Sequence, residues 1–252
     1  MPIFNEGRPF LKPSCCLHLY VNSAKPGDIS ASGQEGQWTL PLPQLREFLE
    51  ITDLKLSCGY ALIDGYEPAL AKKLPELIGY LRLYGWEPIL ATAGLFPTLI
   101  ENPEQKIKSL VNAGLFRIHL EVDEKTLKAA GIKAISLLYR EAAKNSLSIT
   151  SLYNSSEDAE ISDDSLRALW QDPYFNNMSH LFYVYPGKED LPGQEAQEND
   201  FDFEFIIGNR GTIVCWKNGQ PLSKRCSLLE KQWQKTVAEW LNSFQESSHA
   251  SV

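Results

Sequence analysis

The chain has no long apolar run: nowhere in its 252 residues do about 18 apolar residues follow one another, so nothing in it reads as a membrane span. Positive charge is in short supply. The 24 Lys and Arg stand against 32 Asp and Glu, a formal net charge of −8, and there is no long basic run. Nucleic acid and anionic membranes are therefore poor candidates for partners. Five cysteines at irregular positions are too few to staple a chain of this length, which points to reduced thiols and a cytoplasmic setting. The start, MPIFNEGRPFLKP, lacks the basic region and apolar stretch of a secretory signal. No Cys-x2-Cys or His-x3-His pair occurs, so zinc is not expected and no metal ligands are assigned. Gly-x-Ser-x-Gly, Gly-x4-Gly-Lys-Ser/Thr and Gly-x-Gly-x2-Gly are missing too. What remains is ordinary globular composition, 43% hydrophobic, 22% charged and 11% aromatic, with enough length for one large core and an appendage.

The organising stretch is Leu54 to Gly94. Leu54–Ile63 is a short apolar run broken by Gly65–Pro68. Ala69–Tyr84 then places Leu70, Leu74, Leu77, Ile78, Leu81 and Tyr84 at helical spacing, with Pro75 marking a kink or a first turn and Gly85 a stop. Glu87–Thr92 is a second short apolar run. Strand, helix and strand in this order make a right-handed parallel crossover.

The pattern repeats along the chain. Strands are expected at Cys16–Asn22, Leu115–Val122, Ser146–Tyr153 and Leu181–Tyr185, and helices at Leu42–Ile51, Asn102–Asn112, Glu124–Asn145 and Ser162–Trp170. Asp123 is placed to cap the third of these helices, and Gly114 to end the second. Six strand–helix repeats imply a parallel α/β sheet, either an open barrel or a doubly wound sheet. After Pro186 the composition shifts. Gly187–Asp200 is polar and acidic, Phe201–Ile207 and Thr212–Lys217 flank a Gly208-Asn209-Arg210-Gly211 turn as a hairpin, and Leu228–Phe244 is an amphipathic helix. The expected division is a barrel at 1–186, a linker at 187–200 and a hairpin–helix extension at 201–252.

These residues carry a resemblance. Gly65-Tyr66-Glu67-Pro68-Ala69-Leu70, the leucine-rich helix, Gly85 and Thr92-Ala93-Gly94 are similar to the Gly-Gly-Glu-Pro and Thr-Asn-Gly segments of radical S-adenosylmethionine (radical SAM) enzymes. The resemblance implies a parallel (β/α)6 partial barrel. It also implies a Cys-x3-Cys-x2-Cys loop after the first strand, holding a [4Fe–4S] cluster. Here that loop, Ser23–Gly33, has no cysteine. The ending resembles a SPASM or twitch extension, with Cys215, Cys226 and Trp233 in its pattern, but with only two cysteines where such extensions use several.

Within that resemblance, Gly65, Glu67 and Thr92 are the positions for S-adenosylmethionine, the one small ligand it leaves open, while no cluster is expected. Read without the resemblance, strand ends line the working face of a parallel barrel, which picks out Asn22, Asp64, Glu67, Thr92, Glu121, Asp123, Tyr153, Asn154 and Tyr185. Asp64, Glu67 and Asp123 are the candidate acid–base residues, with helix capping as the competing role. His18, His119, Cys215 and Cys226 read as packed residues of strands and core. Two functions compete. One is a cluster-less radical SAM-like pseudoenzyme that binds a protein or peptide partner. The other is a divergent enzyme using carboxylates and tyrosines at the barrel mouth on a small molecule.

Overall fold

The structure is a computed structural model that describes residues 14–21, 38, 40–65, 67–154, 163–175, 179–183, 203–217, 220–222 and 224–249. The expected linker Gly187–Asp200 and the loop Ser23–Gly33 lie outside the described residues.

Six strands and their helices follow one another along the chain. They are β1 (Ser14–Tyr20), α1 (Leu42–Asp53), β2 (Ser57–Asp64), α2 (Leu74–Leu83), β3 (Glu87–Thr92), α3 (Phe96–Leu99), α4 (Pro103–Ala113), β4 (Arg117–Val122), α5 (Glu124–Ala130), α6 (Ile132–Lys144), β5 (Ser148–Asn154), α7 (Asp163–Trp170) and β6 (Ser179–Tyr183). The ending contributes β7 (Phe203–Ile207), β8 (Thr212–Lys217), the short β9 (Gln220–Pro221) and β10 (Cys226–Ser227), and α8 (Trp233–His249).

Two of the expected helices are divided. The segment Ala69–Tyr84 opens with a 3₁₀ turn at Pro68–Leu70, and α2 begins at Leu74 with Pro75 in its first turn. A proline there has no intrahelical N–H to lose. The segment Glu124–Asn145 breaks at Gly131, whose φ of 77° and ψ of 145° belong to no helix. Helical periodicity continues across such a break, so apolar spacing alone misses it. The short α3 was not expected at all.

The strands form a single sheet in the order β10-β8-β7-β1-β2-β3-β4-β5-β6, with β9 on β8. Strands β1 to β6 are parallel in sequence order. The fold is thus α/β with a mostly parallel sheet, as expected, but the sheet is open. Strand β6 forms one edge, and the C-terminal strands lie beyond β1 at the other. The hairpin β7–β8 is part of this sheet. Strand β7 pairs parallel with β1, Cys15 opposite Phe203 through Leu19 opposite Ile207, and β8 returns antiparallel.

Alternation along the strands separates two faces. Cys15, Leu17 and Leu19 of β1, Ala61 and Ile63 of β2, Ile118, Leu120 and Val122 of β4, and Phe203, Phe205 and Ile207 of β7 join the helices in one apolar cluster. Phe48 of α1 meets Phe205 edge-on at 5.4 Å and Trp233 of α8 at 6.4 Å, so the first helix, the hairpin and the last helix share a core. Burying such rings contributes roughly 1.5–3 kcal/mol each. Cys16, Ile89 and Ala91 are also buried, but outside that cluster, because they point to the opposite face of the sheet. No described helix is long and apolar enough to cross a membrane.

Candidate functional site

Glu67 follows β2 and is buried beneath the loop after β3. Its carboxylate accepts a hydrogen bond from the Thr92 hydroxyl at 2.5 Å and from the Leu95 backbone N–H at 3.0 Å, with the Phe96 N–H as a third donor. Thr92 Oγ1 in turn accepts from the Gly94 N–H at 3.0 Å. Gly94 has a φ of 72°, and a Cβ there would come within 2.5 Å of Ile135 Cδ1. The backbone conformation is what favours glycine here, since the Ile135 side-chain end could shift. Burial pushes the Glu67 carboxyl up to about 7, against the downward pull of its three donors. Glu67 and Thr92 thus stand together, as the sequence pattern expects, and the donors that meet the carboxylate come from the chain itself.

The other strand-end acids hold local backbone. Asp64 accepts from the Gly65 N–H at 2.6 Å, and its carbonyl accepts from the Val21 N–H. Asp123 caps α5 as expected. It accepts from the Thr126 N–H, while its own N–H donates to the Thr126 hydroxyl at 2.9 Å. Glu121 is exposed on β4. Asn22 and Tyr185 lie outside the described residues, as do the side chains of Tyr153 and Asn154 at the end of β5. Trp38 packs against the apolar cluster, and its indole donates to the Leu40 carbonyl at 2.7 Å.

A second group lies on the face of the sheet away from the main core, where β1 meets β7. Cys16 and His18 are two apart on β1 and project to the same side. Glu204 of β7 is the register partner of Cys16. One ligand atom from each of Cys16, His18 and Glu204 lies within 4.8 Å of the other two, and His18 Nε2 stands 3.4 Å from Glu204 Oε1. Burial lowers the His18 pKa and raises that of Glu204, so both lean towards their neutral forms. Burial, reinforced by Glu204, pushes the Cys16 thiol up to about 12, with a hydrogen bond to Tyr60 acting the other way. The Tyr60 ring lies 6.5 Å from that of His18. Trp216 of β8 is the register partner of Glu204, and its buried indole N–H finds no acceptor among the described residues.

Sequence reading placed His18 on a strand face but did not join it to Cys16 or Glu204. The Cys16-x-His18 spacing was visible. The third member depends on β7 pairing in parallel with β1, which no local pattern reveals. His119 on β4 is held down to about 4, first by burial and then by Arg117. Cys215 and Cys226 are buried in the apolar cluster, the packed role expected of them.

Two implied groups are tested by these residues. Cys15, Cys215 and Cys226 are committed to the apolar cluster, Cys58 is the register partner of Cys15 and packs against that cluster, and Cys16 faces the other way, so the five described thiols do not fit a [4Fe–4S] cluster. The carboxylate of Glu67, a position that the resemblance gives to S-adenosylmethionine, already accepts from Thr92, Leu95 and Phe96, which leaves about one of its four acceptor sites for a ligand's amino group.

No family model matches the chain, and no curated protein matches it. Among solved structures it is similar to BtrN in complex with AdoMet and 2-DOIA, at 13% identity and a TM-score of 0.42, over 81% of this chain and 73% of that one. It is similar to anSMEcpe with bound AdoMet, at 13% identity and a TM-score of 0.46, over 73% of this chain and 53% of that one. It is also similar to Streptococcus suis SuiB bound to the precursor peptide SuiA, at 12% identity and a TM-score of 0.43, over 81% of this chain and 59% of that one. A likeness of this degree says nothing of what this chain binds or does.

Proposed function

We propose that the chain is a cluster-less radical SAM-like pseudoenzyme that works by binding a protein or peptide partner. The observation that carries this reading is the use made of the strand-end acids. Glu67 is occupied by Thr92, Leu95 and Phe96, Asp123 by its capping box, and Asp64 by the Gly65 N–H. A general base must reach a substrate proton, and the described geometry of these three acids serves the backbone instead. The cysteine-free Ser23–Gly33 segment argues in the same direction. The divergent-enzyme reading needs those carboxylates at the mouth and is the weaker of the two. The SPASM-like character of residues 201–252 and the division at 186 belong to the same proposal.

The test has two arms. Anaerobic reconstitution with iron and sulfide, followed by calorimetry with S-adenosylmethionine, is expected to give neither iron nor heat. About four irons per chain, the content of one [4Fe–4S] cluster, would overturn the cluster-less reading. In the second arm, the proteins and short peptides encoded beside this chain are titrated into it. Measurable affinity for one of them is expected, and no affinity for any removes the binding role.

A further inference from the structure

We infer that Cys16, His18 and Glu204 form a binding site for one divalent, thiophilic metal ion of the zinc class, clamping the C-terminal hairpin to the first strand. The three side chains supply the donors zinc takes, a thiolate sulfur, an imidazole nitrogen and a carboxylate oxygen. They come from adjacent, register-matched strands of one sheet, so their backbones are already set. Zinc bonds of about 2.0–2.3 Å in a tetrahedron put ligand atoms roughly 3.3–3.8 Å apart. His18 and Glu204 already meet that spacing at 3.4 Å, and all three ligand atoms lie within 4.8 Å of one another. Small side-chain rotations close the remainder.

Charge favours the same occupant. A thiolate and a carboxylate beside a neutral imidazole sum to −2, which is costly on a largely buried face. A divalent cation brings the site to neutrality and reverses the burial effect on each ligand. A hard ion such as magnesium or calcium would want oxygen ligands throughout, and here sulfur and nitrogen supply two of three. Three protein ligands leave a fourth position for water or a partner's side chain. Trp216, the register partner of Glu204 on β8, carries a buried indole N–H that has no acceptor among the described residues, the kind of donor that orients a ligating carboxylate from behind. The absence of Cys-x2-Cys and His-x3-His excluded zinc only as a local motif, and this site is assembled from opposite ends of the chain.

The experiment uses the full chain, purified reduced and stripped with a chelator. Zinc is titrated against a chromophoric chelator, and cobalt is added in parallel as a spectroscopic stand-in. One equivalent of zinc is expected, together with a thiolate-to-cobalt charge-transfer band. Cys16→Ser and His18→Ala should each weaken zinc binding by about 100-fold or more and abolish the band, a larger loss than the 10–100-fold typical of removing an outer partner. Glu204→Gln, which keeps the side chain's shape, serves as the variant least prone to misfolding and should weaken binding while retaining the band. Melting of each metal-free variant near the parent's temperature identifies it as folded. Absence of stoichiometric zinc, a cobalt complex without the sulfur band, or zinc binding unchanged in all three variants would overturn the site. None of these results depends on whether the chain binds a peptide.

Discussion

Two carboxylates, Glu67 and Glu204, are both taken largely out of water, and their surroundings differ in kind. Around Glu67 the neighbours are donors: a hydroxyl and two backbone N–H groups. Around Glu204 they are a thiol and an imidazole, groups that can themselves act as ligands. The first arrangement is closed and satisfies a loop whose N–H groups would otherwise be buried without partners. The second brings three ligand atoms within 4.8 Å of one another. A buried acid therefore marks a structural knot or a binding position according to what faces it, not according to its burial.

That contrast can be broken by substitution. Glu67→Ala should have the largest effect, about 3 kcal/mol or more of lost stability, because it strands the Leu95 and Phe96 N–H groups and the Thr92 hydroxyl together. Chemical denaturation at slightly acid pH measures it, and a loss under 1 kcal/mol would mean that the loop finds other acceptors. The pH dependence should come next. The folded Glu67 pKa is raised from the usual 4.5 to about 7, so the folded state holds the proton more tightly. Its contribution is fully present below about 4.5 and is lost as the pH rises through about 7. The parent should lose on the order of 3 kcal/mol over that window, and Glu67→Gln should flatten the slope. An unchanged slope in the variant would assign the effect to another group.

Thr92→Val removes one donor to Glu67 and one acceptor for the Gly94 N–H, and should cost about 1–2 kcal/mol. The smallest effect is expected on the other side of the comparison. Glu204→Gln in metal-free protein should change stability by only about 0.5 kcal/mol, since it keeps the side chain's shape and alters a single polar contact, with His18. A loss as large as that of Glu67→Ala would make Glu204 a second structural knot and erase the distinction.

Much of the fold was legible because its signals are local. The β3 and β8 spans, the Asp123 cap and the alternation of Phe203, Phe205 and Ile207 all follow from spacing between near neighbours. The division at Gly131 escaped because apolar periodicity runs through a single non-helical residue, while at the other division Pro75 marked the start of α2 but nothing marked the separate turn at Pro68–Leu70. Of the site, Glu67 and Thr92 were singled out as ligand positions through the motif they resemble, but that they meet each other, and that the carboxylate also meets the chain's own N–H groups, depended on where Leu95 and Phe96 turn. The Cys16–His18–Glu204 group was half legible. Its missing half is a strand pairing, and pairing between the two ends of a chain leaves no mark in either segment.

The parallel seam between β1 and β7 also sets the order in which this molecule can be completed. During synthesis β1 leaves the ribosome well before β7, with every strand from β2 to β6 made between them. Strand β2 can occupy one side of β1 early, while the other side waits until β7 has been made. Until then it offers a row of unsatisfied amides and carbonyls to any passing strand. Closing so distant a contact is slow, because ordering the intervening chain comes before its reward. The seam that shapes the sheet is thus also the step at which a nascent chain is most exposed to pairing with a neighbour instead of with itself.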